Sequence, residues 1–126
     1  MTIKTIVLID DEPDILTIAT LCLERIGGWT VHAAGNGVDG IAAARRTAPD
    51  VILLDVMMPG LDGPGTLAQL RADSDLAHIP VVFLTARTQR SDVEAYLRLG
   101  VVGVIDKPFD PMKMPEQVRA ILGSRS

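Results

Sequence analysis

The sequence predicts an α/β domain: a five-stranded parallel sheet with helices on both faces. Three observations carry this. Apolar runs rich in Val and Ile alternate with helical patterns five times across 126 residues. The runs are continuously apolar rather than alternating, as strands covered on both faces must be. The connections between them are short, and repeated strand–helix units joined in this way build parallel sheets.

The first strand is Thr5–Ile9. Pro13 then suits a first helical position, where no backbone N–H is needed. Ile15, Ala19, Cys22 and Ile26 recur at helical spacing as the expected core stripe of the first helix, and Gly27-Gly28 stops it. Leu16 and Leu23 fall partly off that stripe. The second strand is expected over Trp29–Ala33, with Trp29 in a packing role. The segment Gly35-Asn36-Gly37-Val38-Asp39-Gly40 formally matches a dinucleotide-binding fingerprint. It follows the second strand, however, and no acidic ribose partner comes after it at the usual spacing. A turn and helix start is the better reading. That helix runs from about Val38 to Thr47 and ends before Pro49. The third strand is Val51–Leu54, and the third helix follows Pro64 with Leu67, Ala68 and Leu70 as its apolar side. After the fourth strand, Val81–Leu84, Ser91-Asp92-Val93-Glu94 has the spacing of a capping box opening a fourth helix that ends at Gly100. The fifth strand is Val101–Ile105. The fifth helix spans about Pro115–Leu122, because Pro111 and Pro115 belong before or at its start. The tail from Gly123 to Ser126 is expected to fray.

Length and composition bound the rest. The chain fits one domain, residues 1–126, either stand-alone or cut from a longer protein. Hydrophobic residues make up 48% and aromatics only 3%, so aliphatics must fill the core. A net charge of −4 leaves no basic face to neutralise phosphates, which argues against direct nucleic-acid binding. Cys22 is the single cysteine, so no internal disulfide or thiol metal cluster can form; core packing is its expected role. No signal-peptide core is visible, and no apolar run approaches the roughly 18 residues of a membrane span. A soluble, cytoplasmic protein is expected, with no membrane partner.

Chemistry concentrates at strand ends. Asp10-Asp11 ends the first apolar run and Asp55 ends the third. In an open parallel sheet the carboxyl ends of the strands line the edge where ligands bind. If the two strands are neighbours, three carboxylates converge. Two unit charges about 4 Å apart repel by roughly 4 kcal/mol at an effective dielectric near 20. A hard divalent cation that prefers oxygen, Mg²⁺ or alternatively Mn²⁺, is the natural occupant. Thr85 ends the fourth strand and Lys107 the fifth, before Pro108. A metal, a hydroxyl and an ammonium at one edge suit phosphoryl transfer, where positioning and charge neutralisation dominate. A carboxylate can itself be the nucleophile, forming an aspartyl phosphate. His32 and His78 fall away from this edge and are assigned no part.

Together, Asp10-Asp11, the stretch Asp55-Val56-Met57-Met58-Pro59-Gly60-Leu61-Asp62-Gly63, Thr85-Ala86 and Lys107-Pro108-Phe109 resemble the receiver domain of two-component response regulators. The resemblance covers essentially the whole chain. It implies a flavodoxin-like fold with strand order 2-1-3-4-5. It also implies that Asp55 accepts a phosphoryl group from a sensor histidine kinase or a histidine phosphotransfer protein. Asp11, Asp55 and the backbone carbonyl of Met57 would then ligate Mg²⁺, and Asp10 would hold a metal-bound water. Lys107 would pair first with Asp55 and then with a phosphoryl oxygen, Thr85 would move towards the phosphate, and the Lys107-Pro108 bond would be cis. The output would be a switch, through a downstream protein target or a homodimer, rather than steady turnover. A haloacid-dehalogenase-type phosphotransferase is the alternative, but it needs an aspartate two residues after the nucleophile, where Met57 stands. A phosphorylation-independent interaction module is the third reading, disfavoured because every acceptor-site residue is present.

The chain departs from the family pattern in two places. Many receivers carry Tyr or Phe where Val104 stands, and Tyr96 on the fourth helix is not taken as a substitute. The switch is therefore expected in the loop after Thr85 and in the fourth helix. Met57 is apolar, and Arg87 stands two residues after Thr85; these rim positions imply slow loss of phosphate. In the family the exposed side of the first helix docks the histidine-bearing partner, which places Leu16 and Leu23 as docking candidates.

Overall fold

The computed structural model describes residues 3–123. Ten elements alternate: β1 (Thr5–Ile9), α1 (Pro13–Arg25), β2 (Thr30–Ala34), α2 (Gly37–Thr47), β3 (Val51–Asp55), α3 (Gly63–Ala72), β4 (Val81–Thr85), α4 (Arg90–Leu99), β5 (Gly103–Asp106) and α5 (Met114–Gly123). All strands are parallel, in the order β2-β1-β3-β4-β5.

Each strand serves two cores because successive side chains point to opposite faces. Ile6 and Leu8 join Leu53, Leu84 and Ile105 against α1 and α5, with Leu23, Val118 and Leu122 from the helices. Val7 and Ile9 join Ile52, Leu54 and Phe83 against α2 and α3, with Ile41, Ala44, Leu67 and Leu70. Burying each such aliphatic contributes on the order of 1.5–3 kcal/mol, so the doubly covered runs dominate the stability. This explains their unbroken apolar character.

Several local expectations are corrected. Trp29 and Val101 stand ahead of their strands, so β2 starts at Thr30 and β5 at Gly103. Trp29 is nonetheless buried, with the Arg119 guanidinium 4.8 Å above its ring. No capping box forms at Ser91, because α4 begins at Arg90 and places Ser91 inside the first turn. Gln89 is the N-cap without a side-chain bond, and Glu94 pairs with Arg90 at 3.1 Å instead. Ala68 is exposed, and the inward side of α3 is Thr66, Leu67 and Leu70. On α1, Leu23 is fully buried while Ile26 is 44% exposed, because the helix ends at Arg25 and the core stripe shifts towards Ala19, Cys22 and Leu23. Of the tail expected to fray, residues 124–126 lie outside the described residues, and Gly123 closes α5.

Two expectations hold in detail. The glycine-rich segment before α2 is a capped helix start, with Asn36 Oδ1 accepting from the Asp39 amide at 2.8 Å. Cys22 is buried in core packing.

Candidate functional site

The sheet order brings the acids together. β1 and β3 are neighbours, with Ile9 opposite Leu54, so Asp10 and Asp55 follow at adjacent strand ends. β4 and β5 continue the same edge, with Thr85 beside Asp106 and one residue before Lys107. The direction of the chain reverses across the sheet at β1 and β3, and such a switch point opens a crevice at the carboxyl edge.

Asp10 is fully buried and Asp55 is 3% exposed, while Asp11 is exposed. Oxygens of Asp10, Asp11, Glu12 and Asp55 all lie within 4.8 Å of one another. Lys107 Nζ reaches into this group, 2.8 Å from Asp10 Oδ2, 3.2 Å from Asp55 Oδ1 and 3.4 Å from Glu12 Oε1. Its shortest bond is thus to Asp10 rather than to Asp55. Asp10 also accepts the Glu12 amide at 2.9 Å, which turns the chain out of β1 and into α1. Asp55 Oδ1 receives the Met57 amide at 3.4 Å. Thr85 is buried, its Oγ1 accepting the Arg87 amide at 3.0 Å. The Lys107-Pro108 peptide is cis.

Electrostatics at this edge are unbalanced. Four carboxylates face one ammonium. Burial, followed by the charge of Asp10, pushes the Asp55 carboxyl up to about 6, although Lys107 pulls the other way. Burial would lower the Lys107 pKa, but the hydrogen bond and charge of Asp10, then Asp55, outweigh it and raise the value. A carboxylate that resists ionisation beside others is a site short of positive charge. Hard oxygen donors with a charge deficit fit Mg²⁺.

The loop after Asp55 is held by α3. Asp62 caps that helix, accepting from the Gly65 amide at 2.8 Å, and the Gly63 amide donates to the Val56 carbonyl at 2.9 Å. A Cβ at Gly63 would stand 2.6 Å from Val56 Cα and 2.7 Å from the Asp55 carbonyl oxygen. Only glycine lets α3 start this close to the acidic strand end.

Met57 is 66% exposed at the rim, and Arg87 is also exposed. Val104 is partly buried on β5, opposite Phe83. Leu16 and Leu23 do not form an exposed docking patch, because Leu16 packs on the core and Leu23 lies within it. The largely apolar surface beside the acids is instead a groove of about 440 Å³ between α1 and the β5–α5 connection, lined by Ile15, Ile18, Pro108, Phe109 and Pro111 together with Glu12 and Lys107. His78 precedes β4 at the opposite end of the sheet, and His32 sits within β2, opposite Val7. Glu12 is the site residue the sequence reading missed; its one signal was adjacency to Asp10-Asp11.

Among the described residues, no helix is long and apolar enough to cross a membrane. The family model for the response regulator receiver domain matches residues 6–119. The DNA-binding response regulator MtrA of Mycolicibacterium smegmatis is 38% identical over 119 residues, which cover 94% of this chain and 50% of MtrA. PilH of Pseudomonas aeruginosa is 37% identical over 117 residues, 93% of this chain and 96% of PilH. The chain therefore spans about half the length of MtrA and of similar transcriptional regulators, and nearly all of PilH. Among solved structures, the chemotaxis response regulator CheY4 of Vibrio cholerae superposes with a TM-score of 0.86 at 26% identity, covering 95% of this chain and 99% of that one. The N-terminal domain of a response regulator receiver protein from Methanoculleus marisnigri gives 0.77 at 32% identity, covering 96% and 98%. On the strand order, the acidic edge and these likenesses, the chain belongs to the response regulator receiver domain family, the phosphoacceptor signalling modules of two-component systems.

Proposed function

We propose that Asp55 is the phosphoacceptor of a cytoplasmic signalling switch, and that a sensor histidine kinase or histidine phosphotransfer protein supplies the phosphoryl group. The observation that carries this is Lys107, whose ammonium lies 2.8 Å from Asp10 and 3.2 Å from Asp55 at the ends of adjacent strands. An Asp55 oxygen attacks phosphorus in line with the leaving imidazole. The O–P bond forms, the P–N bond breaks, and its electron pair returns to the imidazole. Lys107 shifts from the carboxylates to a phosphoryl oxygen, and the Thr85 hydroxyl donates to another. Asp11, Asp55 and the Met57 carbonyl would hold Mg²⁺ and Asp10 a water on it; the metal supplies neutralisation of charge on the transferring group.

The groove beside Lys107 is the docking surface for the helix that presents the phosphohistidine. Its apolar walls end at the acids, as an amphipathic helix with a histidine near one end requires. Output passes to a downstream protein target or a second copy of the chain. Nothing at the site favours a haloacid-dehalogenase mechanism, because Met57 stands where its acid would be.

The test is intact-mass labelling with acetyl phosphate and Mg²⁺. Wild type gains one phosphoryl group and Asp55→Asn none. Equal incorporation in both overturns the assignment.

A further inference from the structure

Glu12 is the carboxylate of the acidic edge that the proposed chemistry leaves without a task. Its backbone is fixed on both sides. The amide donates to Asp10 Oδ1 at 2.9 Å, and the carbonyl accepts the Leu16 amide at 3.1 Å as α1 begins. Pro13 follows, and a residue ahead of proline is driven out of the helical region, as Glu12 is with φ −95° and ψ 109°. Its side chain forms no helix-capping bond. It reaches instead to Lys107, with Oε1 3.4 Å from Nζ, while 59% of the side chain stays open to solvent. Glu12 and Lys107 both line the groove beside the acids. The carboxylate therefore stands where that groove meets the site, beside the ammonium that is to receive a phosphoryl oxygen.

Charge makes this position consequential. Asp10 and Asp55 are buried, whereas Asp11 and Glu12 are exposed. In the proposed reading the three aspartates serve a divalent cation, and that ion together with Lys107 would balance them. Glu12 is then the surplus negative charge, at the opening through which a donor must come. The repulsion an incoming anion meets there grows with its own charge, and salt screens it because Glu12 is exposed. An acyl phosphate, doubly negative and with an anionic leaving group, is penalised most. A donor whose phosphorus is bound to a protonated nitrogen carries less net charge and releases a neutral group, so it is penalised less.

We infer that Glu12 is a specificity-determining residue that disfavours acyl phosphates and leaves P–N donors as the preferred class. The inference rests on the proposed reading of Asp55 as the phosphoacceptor. With either class an Asp55 oxygen bonds to phosphorus. From an acyl phosphate the P–O bond breaks, and its electron pair leaves on a carboxylate. From a phosphoramidate the P–N bond breaks, and the pair leaves on a nitrogen that already carries its protons. The first leaving group passes Glu12 as an anion and the second as a neutral molecule. Glu12 touches Lys107 rather than the reacting atoms, so it acts through its charge and its hold on that ammonium. A changed hold on Lys107 alters both donors alike and cancels in the ratio of their rates.

Acetyl phosphate, doubly negative near pH 7, and phosphoramidate, with one net negative charge there, are the two probes. Second-order labelling rates of the full chain are read by intact mass with Mg²⁺, for wild type, Glu12→Gln and Glu12→Asp. Gln keeps the shape and removes the charge, and Asp keeps the charge on a shorter stem. At about 20 mM salt, Glu12→Gln is expected to raise the ratio of the acetyl phosphate rate to the phosphoramidate rate by about threefold or more, and Glu12→Asp to leave it within about 1.5-fold. At about 1 M salt, where the screening length falls to about 3 Å, the three ratios should converge. Mg²⁺ affinity, read by titration calorimetry, should stay within about threefold in Glu12→Gln, since Glu12 is not among the proposed ligands. A ratio that Glu12→Gln does not move, that both variants move equally, or that moves as much at high salt as at low, overturns the specificity role. A fall in Mg²⁺ affinity of about tenfold also overturns it, by making Glu12 a metal ligand. Absence of labelling of wild type by either donor overturns the Asp55 reading, and the role of Glu12 with it.

Discussion

Replacing Asp55 by Asn should stabilise the metal-free protein. The Asp55 carboxyl is raised from 3.8 to about 6, first by burial and then by the charge of Asp10. Between these values the folded chain binds a proton that the unfolded chain has already lost. Stability contributed by this group therefore falls as pH rises through the window and stays low above it. The rise of about two pKa units corresponds to about 3 kcal/mol at about 1.4 kcal/mol per unit. Asn carries no charge to repel Asp10, but it loses part of the bond to Lys107, so the expected gain is about 2 kcal/mol at pH 8. Urea unfolding of both proteins in EDTA, from pH 4 to pH 8, reads this directly. With m-values of about 1–3 kcal/mol/M for small domains, the midpoint of Asp55→Asn should lie on the order of 1 M higher at pH 8. The gap should close near pH 4, where both side chains are neutral. Mg²⁺ should raise the wild-type midpoint and leave the variant nearly unmoved, because binding to the folded state alone adds stability with concentration. Equal midpoints at pH 8, or a gap as large at pH 4 as at pH 8, would refute the charge-deficit account of the site.

Three further substitutions test the surroundings of Asp55. Gly63→Ala drives a Cβ against the backbone of Val56 and Asp55, so it should cost about 1–3 kcal/mol and slow phosphoryl incorporation. Gly65→Ala, where the nearest contact is the flexible Leu61 side chain at 2.9 Å, should be milder in both respects. Urea midpoints and intact-mass time courses compare the pair, and equal losses would mean that the Asp55 loop does not depend on close approach of α3. Met57→Asn places an amide at the exposed rim where it can orient water towards an acyl phosphate. The aspartyl phosphate should then decay several-fold faster, and an unchanged lifetime removes the rate-setting role of Met57.

What could be read from the sequence follows the physics of the parallel sheet. Ile6–Ile9, Val51–Leu54 and Val81–Leu84 are buried on both faces, so their apolar runs have no competing reading. The acids, Thr85 and Lys107 were legible because strand ends are the one place such runs can put polar groups at a common edge. Helix faces were less legible. Ile26 and Leu23 differ little in chemistry, and only the end of α1 at Arg25 decides that Leu23 is buried and Ile26 is not. Ser91 has the composition of a cap, yet α4 starts one residue earlier and takes Glu94 into a pair with Arg90. Here a short-range motif does not form, because Ser91 lies inside the first turn of α4.

The unread part consists of contacts between residues far apart in the chain. Glu12, Arg71 and Tyr96 act through partners 95, 29 and 13 residues away in the chain: Lys107, Gly100 and Phe83. No periodicity announces such pairings. The phosphoacceptor chemistry needs fixed residue types at fixed strand ends, so it leaves a sequence signature. A readout needs only some contact that couples β4 to a movable element, and many residue pairs can satisfy that. Tyr96 of α4 meets Phe83 of β4 with ring centroids 5.4 Å apart, and no short-range pattern in the sequence places that ring there.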